Sequence, residues 1–345
     1  MKSRIILLDS EQSTFEVQRN LAVLEQVHPN EVSVQQLFKS DLVLIDYKIN
    51  DWTAHLDCDV EIIIPADGLT LAHNIRRILA ALPDKTPPAV ALITNEYASA
   101  ANPLPRTTQP YTLARLNGIE WVFRKEEQLG AQVESLARAC SPKLYSVLEG
   151  ATTEERLEML TSYLGIESES DKDDLVEDVA FCAPPIHDLL RWGDGISVLR
   201  WLLHRILPYP TMLVADTYIA TRAQCNLAQL RAGLKANDNP TFRSAAYLGP
   251  GAALFSDRFW RSKLERLFSD HCPDGSTKAI RRFLADTLDI DLDPCEEQSV
   301  ELTSLERGYG YDIGPLRDCT GAQIDDWPPY ASSPWVLNND TDINS

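Results

Sequence analysis

Four polar residues in the first 125 stand where apolar runs end, and their types together suit the handling of a phosphoryl group. Asp9 closes "IILLD", Asp46 closes "DLVLID", Thr94 closes "AVALIT" and Lys125 follows "GIEWVFR". A carboxylate becomes a nucleophile toward phosphorus when a hard cation and an ammonium neutralise the oxygens in transit, and a hydroxyl can follow the new charge. Glu11, two residues after Asp9, is a further acid for a cation. Singly, Thr94 reads as a strand-end hydroxyl and Lys125 as a solvated lysine; only coincidence with Asp9 and Asp46 lifts them.

Such residues need elements that bring the ends of separate strands together. Short apolar runs alternate with helical periods as far as residue 145, the pattern of a parallel sheet wrapped by helices. Strands are expected at Arg4–Asp9, Glu31–Val34, Asp41–Asp46, Ala89–Thr94 and Ile119–Arg124. Helices are expected at Glu16–Leu24, Gln35–Lys39, Leu69–Leu82, Tyr111–Asn117 and Glu127–Leu136. Ligands of such sheets gather outside the carboxyl ends of the strands, where all four residues fall.

At these residues the chain resembles the receiver domain of bacterial response regulators. Lys125 stands seven residues after Gly118, as in that family, and "DGLTLAHNIRRILAAL" looks like its third helix. The resemblance implies a flavodoxin-like doubly wound parallel sheet, with Asp46 as phosphoacceptor and Thr94 and Lys125 on the phosphoryl oxygens. It also implies a Mg²⁺ ion held by Asp9, Glu11 and Asp46, and a histidine kinase as partner. The sequence departs from the family at Ser10, where a second acid is usual, at Val122 in the aromatic switch position, and at Glu126 in place of proline. The 22 residues from Asp46 to Gly68 exceed the usual loop, so "DWTAHLDCDVEIIIP" is expected to be an insertion with an added strand. Two readings stay open: Asp46 is phosphorylated, or the domain kept its fold as a binding surface with a relic acid.

Composition narrows the classes. The 345 residues, 44% hydrophobic, suffice for two cores, and no apolar run reaches the length of a membrane span. The start lacks the apolar stretch of a secretion signal, and seven cysteines without a Cys-x-x-Cys pair fit reduced thiols, so a cytoplasmic location is expected. A net charge of −19 argues against the whole molecule as a polyanion binder. The expected organisation is a receiver-like domain at 1–145, a helix and acidic linker at 146–180, a mainly α domain with a winged-helix-like core at 181–325, and an extended tail at 326–345.

In the second half, Thr152 and Glu155 have capping-box spacing, and "ESESDKDDLVEDVA" reads as an acidic linker. A helix-turn-helix is expected from Ala215–Ala223 and Leu227–Lys235 around Gln224-Cys225-Asn226. A hairpin wing is expected within 241–256, followed by a helix capped by Ser256. From Leu190 to Leu267 there are 11 Lys and Arg against 5 Asp and Glu, so Arg222, Gln229, Arg231 and Lys235 become candidate nucleic-acid contacts. Arg205, Arg258, Arg261 and Lys263 form a candidate phosphate face whose commoner role is covering apolar surface with their stems. His204, in an apolar helix, reads as packed or hydrogen-bonded. No nucleophile, base and acid assemble into a set, so no enzyme activity is expected.

The function expected is that of a bacterial signalling protein acting through protein contacts, with Asp46 as switch and homodimerisation open. The alternative is a DNA-binding response regulator. A looser resemblance, carried by "LLHRILPYP" and "YIATR", is to degenerate-receiver proteins of antiviral and other conflict operons, which implies an adaptor or regulator there.

Overall fold

The computed structural model describes residues 2–11, 15–49, 67–80, 87–95, 110–125, 129–140, 152–166, 172–185, 196–236, 239–255, 257–304, 308–325 and 327–341. The expected insertion strand, the prolines Pro103 and Pro105, Glu126 and Ser256 lie outside these residues. The chain forms two compact units, one of residues 1–163 with 185–204 and the other of 164–184 with 205–345.

The first unit is built on five parallel strands: β1 (Ser3–Leu8), β2 (Ala22–Val27), β3 (Leu42–Asp46), β4 (Ala89–Thr94) and β5 (Trp121–Arg124). Their order is β2-β1-β3-β4-β5, the flavodoxin-like order. β3 and β4 are buried along their whole length, as parallel strands covered on both faces must be. Each fully buried Leu or Ile there contributes about 1.5–3 kcal/mol. One face packs Ile6, Val43, Ile45, Val90 and Leu92 against Leu71, Ile75 and Leu79 of the Gly68–Ala80 helix and Leu113 of the Pro110–Leu116 helix. The Leu129–Cys140 helix packs against β1 and β3.

The second strand lies where a helix was expected. Residues 16–24 do not form one; Ala22–Val27 run parallel to β1, with Ser3 opposite Ala22 and Leu8 opposite Val27. The strand expected at Glu31–Val34 is instead the approach to a helix, Val34–Lys39. Ser33 and Gln36 make a reciprocal capping box, Gln36 N donating to Ser33 Oγ at 3.2 Å and Ser33 N to Gln36 Oε1 at 2.9 Å. Before β2, the backbone amide of Gln18 donates to buried Glu134, and Gly130 leaves room for the Glu16 carbonyl.

In the second unit the helices Asp216–Ala223, Leu227–Ala236, Arg261–His271 and Thr277–Leu288 enclose a core of Ile219, Leu230, Phe242, Leu264, Phe268, Ile280 and Leu284. The first two helices meet at Gln224, whose left-handed backbone (φ 48°) makes the turn. No hairpin forms within 241–255; that stretch holds the Pro240–Ala245 helix, capped by Asn239, and a 3-10 turn at Ala252–Leu254. The hairpin of this unit is Ser299–Ser304 with Gly308–Pro315. The Arg261–His271 helix starts after Trp260, whose strand Phe259–Trp260 pairs with Leu213–Val214.

The acidic run is not wholly a linker. Lys172–Phe181 is a helix that buries Leu175 and Val179, one turn apart, and packs on the Arg261–His271 helix with Asp174 paired to Arg266. The tail folds back on its own unit: Trp335–Leu337 pairs antiparallel with Cys319–Gly321, and Trp327 meets Tyr209 edge to face at 4.9 Å. Among the described residues no helix is long and apolar enough to cross a membrane.

Candidate functional site

The sheet brings the carboxyl ends of β1, β3, β4 and β5 to one mouth. Asp9 follows β1 and is 5% exposed, Asp46 ends β3 at 6%, and Thr94 ends β4 at 2%. Lys125 follows β5, its amide held by the Thr94 carbonyl at 3.1 Å. Its ammonium donates to Asp46 Oδ2 at 2.9 Å and stands 3.8 Å from Asp9 Oδ2. Two buried carboxylates thus share one cation, and only the closer makes a hydrogen bond. Burial pushes the Asp9 carboxyl above its ordinary value; the Glu11 amide, donating to Asp9 Oδ1 at 2.8 Å, opposes this, Asp46 adds to it, and Lys125 opposes it.

The chain before the next helix closes against this mouth. Tyr47 N bonds the Ile93 carbonyl at 2.9 Å, and Gly68 N bonds the Tyr47 carbonyl at 2.8 Å. A Cβ on residue 68 would overlap the Asp46 carbonyl oxygen and come within 2.8 Å of Tyr47 Cα. Glycine is required here for close approach, and it fixes the Gly68–Ala80 helix against the backbone that carries Asp46. The Asp-Gly at the head of this segment was visible in the sequence; its closeness to Asp46 was not.

Asp9, Glu11 and Asp46 do not form the expected Mg²⁺ triad. Glu11 is exposed and meets Asp9 through its backbone amide, and the ammonium of Lys125 sits on the two buried carboxylates. Among the described residues no group of three or more His, Cys, Asp and Glu side chains is placed to hold a metal ion.

At the other end of β5 is a cluster that the sequence reading did not assemble. Glu120 is 0% exposed. Its carboxylate accepts from Arg76, from the Val90 amide and from Arg200 Nε, the last at 2.8 Å. His204 Nε2 bonds the Glu120 carbonyl at 2.8 Å, as suits a hydrogen-bonded histidine, and Arg200 also donates to the Gly118 carbonyl. The only sequence signal was an acid inside the apolar run "GIEWVF".

In the second unit three of the four candidate nucleic-acid contacts are engaged internally. Arg222 pairs with both oxygens of Glu265, each at 2.9 Å, and Tyr218 donates to the same carboxylate at 2.6 Å. Arg231 pairs with both oxygens of Asp216 at 2.7 and 3.0 Å and also donates to the Tyr311 carbonyl. Gln229 exchanges two hydrogen bonds with Asp293, each 2.8 Å. Lys235 is exposed. Readers of base edges must present free forks, and these three side chains are engaged with neighbours in their own unit. In the candidate phosphate face, Arg258 is buried and donates to the Leu207 carbonyl, Arg261 lies over the Tyr218 ring and Lys263 reaches the Ser244 carbonyl. A cleft of about 600 Å³ in this unit is lined by residues including Thr221, Gln224, Arg281, Cys295, Glu296 and Gln298.

Comparison of the chain with protein-family models, with curated proteins and with solved structures finds no match.

Proposed function

We propose that this chain is a signalling protein whose first unit is a receiver-like module, switched by phosphorylation of Asp46 and acting through protein contacts. The observation that carries the reading is the hydrogen bond from Lys125 to Asp46, made between the ends of β5 and β3, with Asp9 and Thr94 ending the strands beside them. An Asp46 oxygen attacks phosphorus of an acyl or histidyl phosphate, the bond to the donor breaks with its electron pair leaving on the donor, and an acyl phosphate forms on Asp46. Lys125 holds part of the charge of the transferred group, and Thr94, at the end of β4, supplies the hydroxyl that follows it. Protein partners are favoured over duplex DNA because Arg222, Gln229 and Arg231 spend their hydrogen bonds inside the second unit.

Treatment with acetyl phosphate, with and without Mg²⁺, tests the switch by intact mass. The wild type is expected to gain about 80 daltons, one phosphoryl group, and Asp46→Ala to gain nothing. No gain in the wild type, or an equal gain in Asp46→Ala, overturns the assignment and leaves Asp46 a relic acid.

A further inference from the structure

The Glu120 cluster and the Asp46 site are joined by two stiff elements. The first is β5, which carries Lys125 at one end and Glu120 at the other, five residues apart, so about 16 Å along an extended strand. Both ends are pinned to β4, Glu120 N bonding the Val90 carbonyl at 2.8 Å and Lys125 N the Thr94 carbonyl at 3.1 Å. The second is the Gly68–Ala80 helix, which starts in contact with the Asp46 backbone and, about 12 Å further along, places Arg76 on Glu120. A path therefore closes on itself: Asp46, Lys125, β5, Glu120, Arg76, the helix, Gly68, and Asp46 again.

What this loop holds is the segment Ile196–His204. Among the described residues β5 is the last strand of the sheet, so no described strand bonds the carbonyls on its outer side. Arg200 and His204 supply the missing donors, to Gly118 and Glu120, while the Arg200 guanidinium also completes the pairing of the buried carboxylate. Arg200 and His204 are one helical turn apart, so one face of the segment makes all three contacts. A fully buried carboxylate tolerates little change among its partners, because whatever pairing is lost is not replaced by water. The segment ends at Arg205, where the second unit resumes.

We propose that Glu120 is a latch residue, positioning Ile196–His204 against the outer side of β5, and that the latch answers to the charge state of Asp46 through β5 and the Gly68–Ala80 helix. A changed charge at Asp46 moves the Lys125 ammonium and the backbone against Gly68; both movements reach Glu120, and its hold on Arg200 and His204 is loosened while the apolar side chains of the segment stay buried. The inference rests on reading Asp46 as the regulated residue of the module.

Hydrogen exchange of the full chain, read by mass spectrometry over 196–204, tests it without any phosphoryl donor. Glu120→Gln is expected to speed exchange of this segment by at least about tenfold while β3 amides change little. Arg200→Met serves the same purpose should Glu120→Gln fail to fold. Asp46→Asn is expected to change exchange of the segment at least about threefold, and the double variant Asp46→Asn/Glu120→Gln to match Glu120→Gln alone, as two residues on one path should. An unchanged segment in Glu120→Gln and Arg200→Met, no effect of Asp46→Asn, or effects that simply add would each overturn the latch. The mass experiment above fails independently: coupling without phosphoryl uptake removes the switch and keeps the latch, and uptake without coupling does the reverse.

Discussion

Replacing Lys125 by Met should cost far more stability than replacing the acid it bonds. The ammonium stands 2.9 Å from Asp46 and 3.8 Å from Asp9, and both acids are nearly excluded from water. Removing one partner of a buried pair costs about 3–5 kcal/mol, because the other charge is left without compensation. Here two carboxylates lose their shared cation, but the Lys125 side chain is 24% exposed and water replaces part of the loss. The expected cost is then about 2–3 kcal/mol at pH 7. Asp46→Asn acts differently, since it removes one of two like charges and leaves a neutral acceptor for the ammonium; its cost should stay within about 1 kcal/mol. In Lys125→Met/Asp46→Asn only one uncompensated charge remains, so about half the cost of the single lysine variant should return. Exchange of the β3 and β4 amides through opening of the unit is the assay, and a loss of 2–3 kcal/mol makes it about 30- to 150-fold faster. A lysine variant as stable as wild type, or an Asp46→Asn variant that is the more damaged of the two, would refute the shared-cation account.

Two further outcomes follow from geometry away from that pair. Gly68→Ala forces the helix off the Asp46 backbone and should lower the stability of the first unit by about 1–3 kcal/mol, read by thermal unfolding, with phosphoryl uptake at Asp46 falling as well. At Glu265 burial pushes the carboxyl up, but the hydrogen bonds from Arg222 and Tyr218 outweigh it and hold it below its ordinary 4.5. A depressed acid stabilises the fold fully above its unfolded value and loses that contribution as pH falls through the folded one. The difference in melting temperature between wild type and Glu265→Gln should therefore be constant above about pH 4.5 and shrink below it; a difference that widens in acid would contradict the pairing.

Strands that are buried on both faces could be read from the sequence almost to the residue, as β3 and β4 show, because a continuous apolar run of strand length between polar loops has few other uses. β2 escaped because, among the described residues, it is an edge strand with one neighbour. Val23, Glu25 and Gln26 face outward without strict alternation, and the run resembled a helical period. The Ser33–Gln36 capping box was present in the sequence and marks the true helix start, yet the alternation in "EVSV" hid it. The acidic run concealed a helix for a related reason: Leu175 and Val179 alone carry its buried face, too few to outweigh the charges around them. The candidate site was legible as residue types at strand ends, since a parallel sheet must gather those ends. The contact of Glu11 with Asp9 was not, because whether Glu11 turns its side chain or its amide toward Asp9 depends on a loop conformation that spacing does not encode. The pairing of Arg222, Gln229 and Arg231 within their own unit was hidden in the same way, their partners lying 15 to 80 residues away in sequence.

The division of the chain into residues 1–163 with 185–204 and 164–184 with 205–345 means that the polypeptide passes from one unit to the other three times. Neither unit corresponds to an uninterrupted stretch of the gene, so recombination at a single breakpoint cannot transplant one of them whole into another protein. A protease that nicks any one passage produces two fragments, at least one of which carries pieces of both units, and frees neither as a separate body. Anyone seeking an isolated module would have to reconnect the ends by design, and a shortened chain that stops at residue 145 or begins at residue 205 leaves part of a unit behind.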